Sequence, residues 1–306
     1  MEVGGLEHRE KVSKRAAWIA VASNVLLTVL KLVVGYIFLS NALVADGYHS
    51  AADVLASVAV LIAMKVSNQP ADEDHPYGHG KAEVIASGVV AGILTVAALE
   101  IGIGSIEAMT EPAHPPHWIA FAVASFSWVL KQILYRYTMG LGKRLNSAGL
   151  IATAVDHQAD VIASIAAVLG IGAALIGKWV HIPLLYYADP LAGFVVALLI
   201  LKLAYETGRE AVEILMERTV EPEKIEAFKK TVLSVQHVKR LDRIRARAHG
   251  HYILVDVRVG VPGTITVQEG HDVARTIRDT IKREHPDVEE VLVHLNPWYG
   301  GEEGES

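Results

Sequence analysis

Ala45-Asp46-Gly47-Tyr48-His49-Ser50-Ala51-Ala52-Asp53 stands inside an apolar run from Ala42 to Val66. A hydrocarbon core about 30 Å thick needs roughly 20 mostly apolar residues per helical crossing, so this run is long enough to span a bilayer. An Asp at the centre of such a helix costs about 2.5–3.5 kcal/mol even on insertion-derived scales, so ionisable groups at that depth face a cavity or a partner. His49 and Asp53 are four residues apart and stack on one helix face. The stretch reads as a membrane helix that carries chemistry on its inner side.

Working outward, five more apolar runs appear: Ala16–Leu39, Ala82–Met109, Trp118–Tyr137, Gly149–Ile176 and Tyr187–Tyr205. Six membrane helices are therefore expected, separated by short polar or proline-bearing breaks. The 306 residues are 52% hydrophobic and only 20% charged, too apolar for an ordinary soluble protein of this length. Cysteine is absent, which excludes disulfides, thiolate metal sites and a cysteine nucleophile, so metal chemistry falls to His, Asp and Glu. A net charge of −6 with dispersed Lys and Arg gives no nucleic-acid surface. No cleavable signal peptide is expected, because charges run through Arg15 before the first apolar stretch. Arg9, Lys11, Lys14, Arg15, Lys65, Lys81, Lys143 and Arg144 cluster at alternate ends of the runs, against Lys178 alone on the other side. Positive flanks face the cytoplasm, so both termini are expected there.

After about Thr207 the composition turns charged and periodic. Residues 1–208 are expected to form the membrane domain and 209–306 a soluble one. In the second, Glu221–Val235 and Val267–Glu284 read as helices and Arg243–Arg247, Tyr252–Val261 and Glu290–Leu295 as strands. The fold class is thus six membrane helices followed by an α-β-β-α-β domain.

The fifth run repeats the device of the second with Asp156, His157 and Asp160. Asp156 and Asp160 are again four apart. If the two helices are neighbours, His49, Asp53, Asp156 and Asp160 supply one nitrogen and three carboxylates to a single cation. That set suits zinc, and also manganese, iron(II), cobalt or cadmium. Asp46 lies one turn further out, as if lining an outer vestibule, and His157 points about 100° away from Asp156. Lys31 and Glu100 also sit in apolar runs, with no partner assignable from sequence.

Three segments together resemble the cation diffusion facilitator family, of the bacterial zinc and iron exporter type, over nearly the whole chain: Ala45–Ser57, Asp74-His75-Pro76-Tyr77-Gly78-His79-Gly80-Lys81-Ala82-Glu83, and Asp156–Asp160. The resemblance implies a homodimeric proton-coupled antiporter in the cell membrane, with a metallochaperone-like cytoplasmic domain. A well-known zinc and cadmium subgroup carries two Asp on the second helix and His plus Asp on the fifth. Here the histidine is on the other helix, and three carboxylates also suit harder ions such as manganese. Zinc ranks first.

Asp72, His75 and His79 have spacings that a turn brings onto one ion, and the resemblance implies a second metal site there. It also implies a regulatory ion in the soluble domain, held by Asp256, His271 and His294, with Asp242 and Asn296 where some relatives place His and Asp. His249 and His251 flank Gly250 and are alternative members of that site. Lys81 and Glu217 each end a membrane segment, and similar exporters interlock a lysine with an acid there. No G-x-x-x-x-G-K-[ST] loop occurs and the acid pairs lack a nucleophile, so neither an ATPase nor a hydrolase is expected. The protein reads as no enzyme and needs no catalytic cofactor; the divalent metal is its substrate and regulator. A metal channel and a membrane-bound metal sensor are the competing functions.

Overall fold

The computed structural model describes residues 21–300 except 113, 146 and 147, and no side chain at 60, 145, 148–153, 155–157 or 159. Six helices come first: α1 (Val21–Ile37), α2 (Asn41–Ser67), α3 (Ala82–Thr110), α4 (Trp118–Leu145), α5 (Ala148–Val180) and α6 (Ala188–Leu215). The 3-10 turn Pro183–Tyr187 links the last two. Helices α2 to α6 each contain a stretch long and apolar enough to cross a membrane, and α1 is a shorter apolar helix over its described part. Its expected start at Ala16 lies outside the described residues. The order then continues α7 (Pro222–Leu233), β1 (Arg240–His249), β2 (Tyr252–Pro262), α8 (Val267–Glu284) and β3 (Val288–Trp298), the expected α-β-β-α-β.

The chain packs as two compact units, residues 1–59 with 89–208, and residues 60–88 with 209–306. A division at 208 alone assigns 60–88 to the membrane half; the structure packs that segment with the tail. Backbone proximity explains it. Gly250, at φ +73°, lies so close to the Gly80 carbonyl that no side chain fits at either glycine. The Tyr252 hydroxyl donates to the Tyr77 carbonyl at 2.6 Å, and Ser67 Oγ lies 3.0 Å from His251 Nδ1.

Within the membrane unit, small residues let helices approach: Ala45, Ala52, Ala98 and Ala204 are buried together with Leu94, Val196 and Ile200. A Cβ at Gly47 would meet Leu32 Cδ2 at 2.8 Å, so glycine is what allows α1 and α2 to touch there. Asp189, in the first turn of α6, accepts from Ser40 Oγ at 2.6 Å and from the Asn41 N–H at 2.8 Å. It thereby fastens α6 to the amino-terminal end of α2, where backbone donors are otherwise unpaired.

In the tail unit β1 pairs antiparallel with β2, and β2 pairs parallel with β3 through the α8 crossover. Val255, Val257 and Val259 of β2 are buried with Phe228 and Val232 of α7 and Val273, Ile277 and Ile281 of α8. Side chains alternate along a strand, so both helices cover one face of the sheet and Asp256 and Arg258 belong to the other. Thr266 and Glu269 form a reciprocal capping box that starts α8.

Candidate metal centre

Asp46, His49, Ser50 and Asp53 recur at helical spacing and make one polar stripe on α2. Asp160 and Ser164 do the same on α5, and the two stripes meet. His49 Nε2 lies 3.2 Å from Asp160 Oδ1, with both side chains more than nine-tenths buried. One ligand atom each from His49, Asp53 and Asp160 lies within 4.8 Å of the other two, the spacing that surrounds one ion. His49 Nδ1 and Asp53 Oδ2 are buried without a hydrogen-bond partner. Orphaned polar atoms in a membrane interior are costly, and a cation satisfies them. Three of the four expected ligands are therefore gathered. Asp156 belongs to α5 one turn before Asp160, but its side chain and that of His157 lie outside the described residues.

Two lysines that sequence reasoning did not absorb sit beside this group. Lys131 of α4 is fully buried, with Nζ 2.9 Å from Asp160 Oδ2. Its signal was a lone lysine inside the apolar run Trp118–Tyr137, legible but given no weight. Lys31 of α1 is fully buried, with Nζ 2.7 Å from Asp46 Oδ2, 3.1 Å from Ser50 Oγ and 3.4 Å from Ser164 Oγ. Ser164 Oγ donates in turn to Asp46 at 3.1 Å. Asp46 therefore lines no open vestibule, because it is fully buried as the counter-ion of Lys31. Glu100 is exposed on α3 and lines a small cavity with Tyr36, Asn41 and Tyr48.

The loop after α2 gathers all three of its expected residues. His75 Nδ1 lies 3.3 Å from Asp72 Oδ1 and His79 Nε2 3.4 Å from Asp72 Oδ2. Asp72 also accepts the His75 N–H at 2.6 Å, and that backbone bond, foremost, holds its carboxyl below the ordinary aspartate value.

Lys81 pairs with Glu217 as expected. Glu217 is shared, since Arg247 Nε lies 2.6 Å from its Oε2, and Arg247 Nη1 reaches Asp256 Oδ2 at 3.3 Å. Burial pushes the Glu217 carboxyl up, but the Lys81 hydrogen bond and the Lys81 and Arg247 charges outweigh it and leave it lowered. Arg247 was missed because nothing in the spacing of β1 marks it out.

Asp256, His271 and His294 are not gathered within a single chain. His271 belongs to α8, which covers the valine face of β2, whereas Asp256 belongs to the opposite face and is engaged by Arg247. His294 Nε2 lies 3.1 Å from Asn296 Oδ1, and Asn296 Nδ2 donates to Asp242 Oδ2 at 2.7 Å. His249 stacks on Tyr252 at the opposite end of β1 from Asp242, while His251 approaches Ser67 and Glu83.

Residues 17–216 match the cation efflux transmembrane domain, and residues 220–298 match the cation efflux protein cytoplasmic domain. The manganese efflux system protein MneP of Bacillus subtilis (strain 168) is 46% identical over 95% of this chain and 98% of its own length. MneS of the same organism, also a manganese efflux system protein, is 36% identical over 94% and 96%. The magnetosome protein MamB of Paramagnetospirillum magneticum is 30% identical over 93% and 94%. A membrane unit with a buried carboxylate and histidine centre, an α-β-β-α-β tail and these matches over both parts lead to one conclusion: the chain is a multi-pass membrane transporter, not an enzyme, and belongs to the cation diffusion facilitator family.

Proposed function

We propose that the protein exports a divalent transition-metal cation, manganese(II) foremost, from the cytoplasm in exchange for protons. The observation that carries this reading is the buried His49–Asp53–Asp160 group, whose ligand atoms lie within 4.8 Å of one another inside membrane helices. Asp156, four residues before Asp160 in sequence, is the fourth proposed ligand. One imidazole with three carboxylates is a comparatively hard donor set, which favours manganese over the softer zinc and cadmium. The names of MneP and MneS point the same way and move manganese ahead of the zinc ranked first from sequence. Zinc, iron(II), cobalt and cadmium are the competitors to test.

Proton exchange follows from ligand chemistry. Imidazole must be neutral and carboxylates ionised to bind a metal, so metal and protons compete for the same atoms. A centre that opens to each side in turn then loads metal from one face and is cleared by protons at the other. The transporter works as a homodimer in the plasma membrane with both termini cytoplasmic, residues 1–208 carrying the cargo path and 209–306 the regulatory and dimerisation domain. Asp72, His75 and His79 form a second, cytoplasmic-side metal site. The Lys81–Glu217 pair interlocks the segments that end there, and a regulatory ion shared between two tails would take His294, His271 and Asp256 from different copies.

Manganese flux into proteoliposomes, at a fixed metal gradient and varied pH difference, tests the proposal. Flux should rise with the opposing proton gradient and be competed by other divalent ions in order of affinity. Flux indifferent to the pH difference would instead make the protein a channel, and binding without flux a sensor.

A further inference from the structure

Lys131 is fully buried in the middle of α4, in a segment otherwise built for hydrocarbon. A buried ammonium without a counter-charge is expensive, so its contact with Asp160 needs a reason. Asp160 divides its two oxygens, Oδ1 facing His49 Nε2 at 3.2 Å and Oδ2 facing Lys131 Nζ at 2.9 Å. The ammonium thus rests on a carboxylate that the cargo needs. We infer that Lys131 is a tethered counter-cation of the transport centre: its ammonium holds Asp160 while the centre lacks metal, and the incoming divalent ion displaces it. This rests on the transport reading above and adds how the centre admits its substrate.

Lys131 differs from the other buried lysine in how it is held. Lys31 has Asp46, Ser50 and Ser164 around it, and Asp46 is itself anchored by Ser164. Lys131 approaches Asp160 at ion-pair distance without the angle of a hydrogen bond. Lys31 is held by three side chains, and Lys131 has, among the described residues, the one ion-pair contact, with Asp160. A landing point is present one turn back on the same helix. Ser127 is fully buried and its Oγ lacks a hydrogen-bond partner. Helical side chains lean towards the amino terminus, so a lysine at position 131 reaches naturally towards position 127.

The arrangement selects for charge. A monovalent ion that replaces the ammonium gains no Coulomb energy over the cation it evicts, whereas a divalent ion doubles the charge seen by Asp160, His49 and Asp53. Once displaced, the ammonium remains tethered nearby and repels the bound metal, which speeds release. Lys131 is a positioning residue here, acting through Asp160.

The test uses the full-length protein, manganese(II) as probe, calorimetry in detergent and flux in proteoliposomes. Lys131→Met should tighten manganese binding by at least about tenfold and lower maximal flux by at least about tenfold, because the competitor and the expelling charge are both gone. Lys131→Arg keeps the charge and should leave affinity within about threefold of the native protein. Sodium ions should inhibit manganese binding to Lys131→Met and not to the native chain, and Ser127→Ala should slow flux by about twofold to fivefold without tightening binding. Unchanged affinity in Lys131→Met, or weaker binding, would overturn the inference. Should Lys131→Met aggregate, Lys131→Gln carries the same comparison. Loss of the folded elution profile in both, with Lys131→Arg intact, would overturn it in favour of a purely structural counter-charge. Absence of manganese flux in the native protein would sink the transport reading instead, while the binding comparison would still decide the role of Lys131.

Discussion

The His49–Asp53–Asp160 group and the Asp72–His75–His79 group draw on the same two residue types and each brings its ligand atoms within 4.8 Å. Their surroundings are opposite. In the membrane unit His49 and Asp160 are buried and Asp53 is half-buried, His49 Nδ1 and Asp53 Oδ2 are orphaned, and a lysine stands against Asp160. In the loop, His75 is 59% and Asp72 53% exposed, and Asp72 already takes a backbone N–H and two imidazoles. His79 is the enclosed member, 11% exposed, with its Nδ1 buried and unpartnered. The same ligand chemistry is therefore enclosed in one place and open in the other: the membrane group leaves His49 Nδ1 and Asp53 Oδ2 buried and unpartnered, whereas the loop group leaves His79 Nδ1 so but presents Asp72 and His75 to solvent.

The sharpest way to break this contrast is to remove one acid from each. Asp160→Ala should lower manganese flux by at least about 100-fold, and Asp72→Ala by no more than about fivefold, since losing even an outer-shell partner typically costs about 10–100-fold. Equal losses in the proteoliposome assay would erase the distinction.

A second prediction concerns the lysine held by three side chains. Lys31→Met leaves Asp46 as an uncompensated buried charge and should destabilise the protein by about 3–5 kcal/mol. Thermal unfolding in detergent measures it, and adding Asp46→Leu should recover most of the loss. A Lys31→Met variant as stable as the native chain would show that Asp46 reaches water.

The loop is tested in an Asp160→Ala, His271→Ala, His294→Ala background, where calorimetry reads its binding without the transport and tail sites. His79→Ala should weaken manganese binding there by about tenfold. An unchanged isotherm would leave the loop as a hydrogen-bonded turn and nothing more.

The smallest expected effect is on acid stability. Glu217 is held below its ordinary value of 4.5, so its pairing with Lys81 and Arg247 stabilises the fold fully above that value and loses effect as pH falls through the lowered one. With the side chain 44% exposed, solvent screening limits the contribution to about 1 kcal/mol at most. Glu217→Gln should melt slightly earlier than the native protein at neutral pH, and the gap should close on acidification. A gap that widens would reverse the assignment.

Much of the architecture was legible because its signals are local. Apolar runs of sufficient length announce membrane helices, and period-two and period-3.6 patterns announce the tail elements. Val267–Glu284 is read from its helical periodicity with its observed bounds, and the structure adds the Thr266–Glu269 box at its start. The pairs His49/Asp53 and Asp156/Asp160 were equally legible, since residues four apart on a helix share a face whatever surrounds them.

Partnership across helices was not. Lys31 meets Asp46, and Lys131 rather than Lys31 meets Asp160, only because α1 packs on α2 through Gly47 and α4 lies along α5. Asp256, His271 and His294 looked alike in sequence, yet the sheet places Asp256 on the face that α8 does not cover. The sequence by itself determined which residues are ionisable and at what helical depth or strand parity they stand. Which charge neutralises which was decided by tertiary packing, because a buried ion pair depends on distances of a few ångströms between segments that no local periodicity encodes.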